Sequence, residues 1–384
     1  MMMNRLFWIF LLLVPFSAPA FDLSESAKIS ILTCSPGQDL YSTFGHSAIR
    51  LQDDQENLML DAVYNYGTFV FDDDFYLKFT RGKLNYFLSR SRWADFQYGY
   101  LSAGRGIVEQ ELDLTPEQVR VLVDLLEENY LPENREYLYD FFYDNCSTRI
   151  RDILKNALGD GLKFIPVERD PTSFRQMTDP YMLNLPWGDF GIDMGLAVPA
   201  DLIMGDEDDM FLPEYLFAQI DRAILNGKPL VKGNNELLLE VEVEPQSAIW
   251  VPSVVFWSLL VLVLLLFFTL RKSEKAVGAI SATLMFIYGL VGLFLFLLWT
   301  ATDHVATINN LNVMWLWPSH LVYVFIKKEK SEQYWMISAL VLFFLVLVHS
   351  FLPQQYPANV TPLLLVGLTC SLVRTSVGKR LASL

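Results

Sequence analysis

The chemistry that this sequence offers rests on one cysteine and one histidine. Cys146 stands in "FFYDNCSTRIRDIL", residues 141–154, directly behind an Asp-Asn pair suited to capping a helix. A thiol in a first helical turn meets unpaired backbone N–H groups and the positive end of the helix dipole, and both favour the thiolate. A cysteine nucleophile needs a base. Residues 21–249 contain a single histidine, His46, so the choice is forced. His46 opens "HSAIRLQ", a strand pattern whose alternation sets it on the face of Ala48 and Arg50, opposite Ile49 and Leu51.

A third group should orient the imidazole. The next strand pattern offers Asp61 and Asn65 on one face and Tyr64 on the other, and Asn65 is preferred. An oxyanion donor is available either from the Asn145 side chain or from the Cys146 backbone N–H. Other readings of the same residues stand beside this one. Cys146 shares its helix face with Ile150 and Ile153, as a small buried hydrophobe would. In an oxidising compartment Cys34 and Cys146 can form a disulfide, which would make the domain a stapled, non-catalytic binding module. A strand histidine facing a cysteine at a helix N-terminus is also the arrangement of papain-like thiol enzymes, recognised by geometry and not by chain order.

Charge and hydropathy place these residues outside a membrane. Asn4 and Arg5, the apolar run Leu6–Phe16 and then Ala18-Pro19-Ala20 describe a secretory signal cleaved after Ala20, the alternative being an uncleaved anchor. Residues 250–384 contain five apolar runs, Trp250–Leu270, Ala276–Trp299, Val313–Ile326, Tyr334–Leu352 and Thr361–Val373. The first, second and fourth are about long enough to span the hydrocarbon core. Arg271, Lys272 and Lys275 follow the first run, Lys327, Lys328 and Lys330 the third, and Arg374, Lys379 and Arg380 the fifth. If all five cross, every basic cluster falls on the cytoplasmic side and residues 21–249 lie outside. In those residues Asp and Glu outnumber Lys and Arg 40 to 19. Such acidity excludes nucleic acid as a partner and suits a solvated surface. The expected division is a signal over 1–20, an exported domain over 21–249 and an all-α membrane domain over 250–384.

The exported part mixes strands and helices, an α+β pattern. "KISILTC", "HSAIRLQ" and "LMLDAVYNYGTFVF" read as strands, the last of them interrupted at Gly67, with a polar connection over residues 53–57. Thr115-Pro116-Glu117-Gln118 is a capping box ahead of an amphipathic helix. Further helices are expected behind Asn145, ending at Gly159, and over Pro213–Asn226. "ELLLEVEVE", 236–244, reads as a last strand. Residues 160–212 form an irregular excursion of the kind that binds ligands.

"LTCSPGQDLYSTFGHSAIRL", "VYNYGTF", "GRGIVEQELDLTPEQV" and "FFYDNCSTRIRDIL" together resemble the exported domain of the Lnb-type lipoprotein N-acylation proteins of the inner membrane. The resemblance covers most of residues 27–165. It implies a permuted papain-like fold, akin to NlpC-like and lecithin–retinol acyltransferase-like enzymes, in which the histidine strand precedes the cysteine helix. It also implies Cys146 as nucleophile and His46 as base; residue 147 is Ser where some relatives carry Ala, and both are small. "TDHVATINNLNVMWLWPSHL", 302–321, is similar to a segment of the Lnb-type membrane region. It adds His304 on the exported side and His320 within or near the third run as substrate-handling residues. The alternative for His320 is aromatic-belt packing with Trp315, Trp317 and Tyr323.

The implied activity is a cysteine-dependent N-acyltransferase that uses no cofactor or metal. Its partners would be diacylglyceryl lipoproteins, a phospholipid acyl donor and the bilayer. The competing enzyme reading is a papain-like peptidase or amidase acting on peptidoglycan peptides.

Overall fold

The computed structural model describes residues 23–55, 58–70, 72–83, 85–233, 235–239, 251–357 and 359–377. The signal expected over 1–20, the boundary at 249/250, the latter half of the 236–244 strand, and Lys379 and Arg380 lie outside these residues.

The N-terminal region is built on an antiparallel sheet. Its strands are β1 (Lys28–Cys34), β2 (His46–Gln55) and β3 (Leu58–Thr68). Helix α1 (Phe75–Thr80) leads to β4 (Asn85–Arg92), and α2 (Trp93–Ser102) leads to β5 (Ile107–Glu111). After α3 (Pro116–Tyr130) comes β6 (Glu136–Leu138), then α4 (Cys146–Leu158). With β10 (Glu236–Leu239) the order across the sheet is β10-β5-β1-β2-β3-β4-β6.

Period-2 alternation divides the two faces. Ile29, Ile31, Ile49 and Leu51 are fully buried against Leu122 and Leu126 of α3 and Ile150 of α4. Leu32, Cys34 and Ala48 point the other way, beneath Phe96 of α2. The face of His46 is therefore covered too, although it is the more polar one. Arg50 lies buried on it, donating to Asp61 at 2.8 Å and Glu109 at 2.9 Å beneath the Trp93 ring.

Helix α3 begins at the expected box, with Thr115 and Gln118 satisfying each other's backbone N–H. Helix α4 begins on Asn145 and stops at Gly159, whose φ of +58° suits glycine. Residues 160–212 carry more structure than an irregular loop. They hold β7 (Leu162–Lys163), α5 (Phe174–Thr178) and α6 (Pro186–Gly195). Arg175, with no exposure, binds Asp193 at 2.7 Å and Asp201 at 2.8 Å and clamps the segment together. Helix α7 (Pro213–Arg222) ends four residues before the expected Asn226, because the chain turns there. Asn226 and Gly227 both have positive φ and close a hairpin of β8 (Ile224–Leu225) and β9 (Lys228–Pro229).

The C-terminal region is helical. Among the described residues three helices are long and apolar enough to cross a membrane: α8 (Pro252–Thr269), α9 (Glu274–Ala301) and α11 (Lys328–Val348), which continues as a 3-10 turn to Phe351. A shorter apolar helix, α12 (Val360–Val373), packs against α11 and α8.

The third expected run, Val313–Ile326, is not one helix. It consists of a 3-10 turn at Leu311–Met314, a break around Pro318 and α10 (His320–Tyr323). Pro318 lacks the N–H that a continuous helix would need. The segment nevertheless runs back along α9, pressed onto Gly289 and Gly292. A Cβ on Gly292 would stand 1.6 Å from the Leu316 carbonyl oxygen. Lys328 Nζ donates to the Val373 carbonyl at 3.0 Å, and Arg374 donates to that of Val324 at 2.9 Å. The second and third basic clusters thus share one end of the bundle, as the charge pattern requires.

At the other end the two regions meet. Asn310 Nδ2 donates to the Met194 carbonyl at 2.8 Å, and Ala197 N donates to that of Ala306 at 2.8 Å. Met194 itself is buried in the core of the membrane helices.

Candidate active site

Three side chains from three elements converge at one edge of the sheet. Cys146 is the first residue of α4, His46 the first of β2, and Asn65 lies near the end of β3. His46 Nε2–H donates to Asn65 Oδ1 at 2.6 Å, which leaves Nδ1 for the neighbouring Cys146 thiol. Gly67 permits this approach. An added Cβ there would lie 3.6 Å from His46 Cε1 and 3.7 Å from Cys146 Cβ, and its φ of +89° disfavours a side chain.

The electrostatics favour a charged pair. Burial pushes the Cys146 thiol up, but the His46 imidazolium, its hydrogen bond, the Ser47 backbone N–H and the Ser147 hydroxyl outweigh this and bring it to about 7. Burial likewise presses His46 down, while the Cys146 thiolate, its hydrogen bond and Asn65 raise it above its ordinary value. Such reciprocal shifts are those of an activated cysteine–histidine pair. Cys146 is half-buried, whereas the other thiol of the domain is fully enclosed.

Cys34 is a different thiol. It is fully buried, and burial pushes it up to about 12 despite a hydrogen bond with Tyr100. Cys34 and Cys146 are both free, which removes the disulfide-stapled reading.

Several expected residues have other duties. Asn145 is the N-cap: its Oδ1 accepts from Ser147 N and Thr148 N, and its Nδ2 donates to the Phe141 and Phe211 carbonyls at 2.7 and 2.8 Å. Both amide hydrogens are spent, so Asn145 has none for an oxyanion. Tyr64 sits in the core on the opposite face from Asn65, its hydroxyl bound to Glu127 of α3. Asp61 is engaged by Arg50.

Neither membrane histidine joins the pair. His304 Nε2 bonds to the Phe79 carbonyl at 2.8 Å, and the neighbouring Asp303 N donates to the Arg81 carbonyl, docking the α9–α10 connection onto α1. His320 is buried between the Trp317 and Trp335 rings, at 5.7 and 5.4 Å, with Nδ1 2.7 Å from the Tyr334 hydroxyl. This is the aromatic packing alternative, built from Trp335 and Tyr334 of the next helix.

Two further contacts lie beyond sequence inference. Tyr100 of α2 stacks on His46 at 6.4 Å and carries Arg105 over its ring. Ser147 Oγ meets Ser47 Oγ at 3.1 Å, tying the cysteine helix to the histidine strand. Only the small size of both serines, each one residue behind a reactive group, hints at that tie.

Comparison with known families agrees with this architecture. Residues 20–179 match the Lnb N-terminal periplasmic domain, and residues 244–380 match the Lnb transmembrane domain. No curated protein and no solved structure matches. The chain belongs to the Lnb family: it is a membrane protein with an N-terminal periplasmic domain, of the lipoprotein N-acylation type.

Proposed function

We propose that this protein is a cysteine-dependent acyltransferase that N-acylates the lipidated N-terminal cysteine of lipoproteins. The observation that carries the proposal is the convergence of Cys146, His46 and Asn65, with His46 bonded to Asn65 at 2.6 Å and the neighbouring thiol brought to about 7. The order of histidine strand before cysteine helix on an antiparallel sheet supports a permuted papain-like reading of the domain.

In the proposed reaction the Cys146 thiolate attacks the ester carbonyl of a phospholipid. The ester C–O bond breaks, His46 protonates the departing alkoxide, and a lyso-lipid leaves. The α-amine of the lipoprotein cysteine then attacks the thioester carbonyl. The C–S bond breaks, an amide forms, and the amine's proton returns to His46. Asn65 holds the imidazole with Nε2 protonated, so Nδ1 is the atom that takes and gives the proton. With Asn145 committed to capping, the Cys146 backbone N–H at the helix start is the oxyanion donor.

No cofactor or metal enters this scheme. A thioester suits the second step, because amines attack it readily and closure of the site excludes water. Docking of the periplasmic domain on the membrane helices favours lipid-anchored substrates over peptidoglycan peptides, which lie away from the bilayer. Mass spectrometry of the purified protein incubated with phospholipid tests the reading. An acyl adduct on the peptide containing Cys146, lost to a lipoprotein amine, is expected; its absence, with the thiol intact, rejects the scheme.

A further inference from the structure

The loop that leads into His46 is apolar at its tip and packs against the segment that begins α6. In residues 37–44 Leu40 is 46% exposed and Tyr41 78% exposed. The loop is not free: Thr43 Oγ1 donates to the Tyr181 carbonyl at 2.7 Å, and Ser42 N donates to the Asp39 carbonyl. It also packs on α6, where a Cβ at Gly188 would stand 3.4 Å from Leu40 Cδ1. Next to this contact Leu183 is 78% exposed and Trp187 45% exposed. Four large apolar side chains thus share one open surface around the start of α6.

The position of α6 identifies what covers that surface. The Trp187 ring lies 5.6 Å from that of Phe256 in an edge contact, and Phe190 lies 4.8 Å from the same ring. Phe256 is four residues into α8, about 6 Å along its axis, at the periplasmic end of the span. Met194, at the other end of α6, is buried among the membrane helices. The open surface therefore adjoins the periplasmic end of α8, where Val254 and Trp257 are themselves exposed, at the level where Trp and Tyr favour the headgroup boundary. An exposed apolar patch continuous with a membrane span is best covered by lipid.

We infer that Leu40, Tyr41, Leu183 and Trp187 seat in the outer leaflet and bring a phospholipid's ester region to the loop that ends at His46. The second half of this inference rests on the acyl-transfer reading above; the lipid contact does not. The occupant is the bilayer, and a protein partner or second copy over the patch is the competing outcome.

The full-length protein in vesicles containing phosphatidylcholine with a diazirine high in one acyl chain tests both halves. Photolysis and digestion are expected to give lipid adducts on the peptide carrying Leu40 and Tyr41 and on that carrying Leu183 and Trp187. Adducts confined to the spanning helices, or crosslinks from these peptides to another protein chain, overturn the lipid contact. In the Leu40→Glu, Tyr41→Glu double variant, acyl-adduct formation on Cys146 from vesicle phospholipid should fall about tenfold while iodoacetamide alkylation of Cys146 stays unchanged. An unaltered acylation rate overturns the role in donor entry. If the wild-type protein forms no acyl adduct although the lipid crosslinks appear, the thiol chemistry fails and the lipid contact stands.

Discussion

His46 and Asn65 are joined at 2.6 Å with the imidazole N–H donating to the amide oxygen, and this one bond fixes which ring nitrogen faces the thiol. Asn65→Ala frees the ring to take either tautomer. Acyl transfer is expected to fall roughly tenfold, the worth of one hydrogen bond to a charged group. The loss should appear in kcat, with KM for phospholipid unchanged, and the limb of the pH profile that reports the His46 imidazolium should move to lower pH, because His46 loses a group that raises it.

The pairing makes thiol reactivity depend on pH in a defined direction. With Cys146 at about 7, its iodoacetamide alkylation should rise through neutral pH and level off above it. In His46→Ala the imidazolium is gone and burial is opposed only by the Ser47 N–H and the Ser147 hydroxyl, so the midpoint moves up. Alkylation at pH 7 should then drop at least about tenfold. A titration of alkylation rate against pH for both proteins checks this, with Cys34 remaining slow throughout.

Asn145 separates capping from catalysis. Asn145→Ala removes a helix cap, worth about 1 kcal/mol, and leaves the Phe141 and Phe211 carbonyls without its amide. A total loss of about 2–4 kcal/mol is expected, visible as a lowered unfolding temperature. The folded fraction should keep near-normal acylation per thiol, which an oxyanion donor would not allow.

In the membrane region Gly292→Ala should be poorly tolerated. The clash is with the Leu316 backbone, so no side-chain rotation relieves it. Expected outcomes are loss of the detergent-stable fraction on size-exclusion chromatography and exposure of residues 311–326 to protease. Gly278→Ala, where a Cβ meets nothing within 4 Å, serves as the tolerated control.

Much of the site is legible in the chain because its signals are local. A single exported histidine, a thiol behind Asp-Asn, and Thr115 with Gln118 each declare themselves within a few residues. Alternation also separates Asn65 from Tyr64. What escapes is set by long-range pairing. Strands β4 and β5 take their places by pairing with β3 and β6 and with β1 and β10, partners far along the chain, and "NYFLSRSR" and "IVEQE" carry no clear alternation of their own. Tyr100 reaches His46 only because α2 folds back over the sheet. The full engagement of the Asn145 amide is out of sight too, because its partner at Phe211 is brought near only by folding. Pro318 does mark the break in the third run, but hydropathy alone hides it.

Arg175 gives the molecule a gauge. By gripping Asp193 and Asp201 from inside, it stiffens the stretch whose backbone is bolted to Asn310 and Ala306. The domain that carries Cys146 is thereby bound to the membrane helices by side-chain and backbone contacts as well as by the chain itself. On the acyl-transfer reading proposed above, such a mounting would suit cargo rooted in the same leaflet over anything farther out in the periplasm.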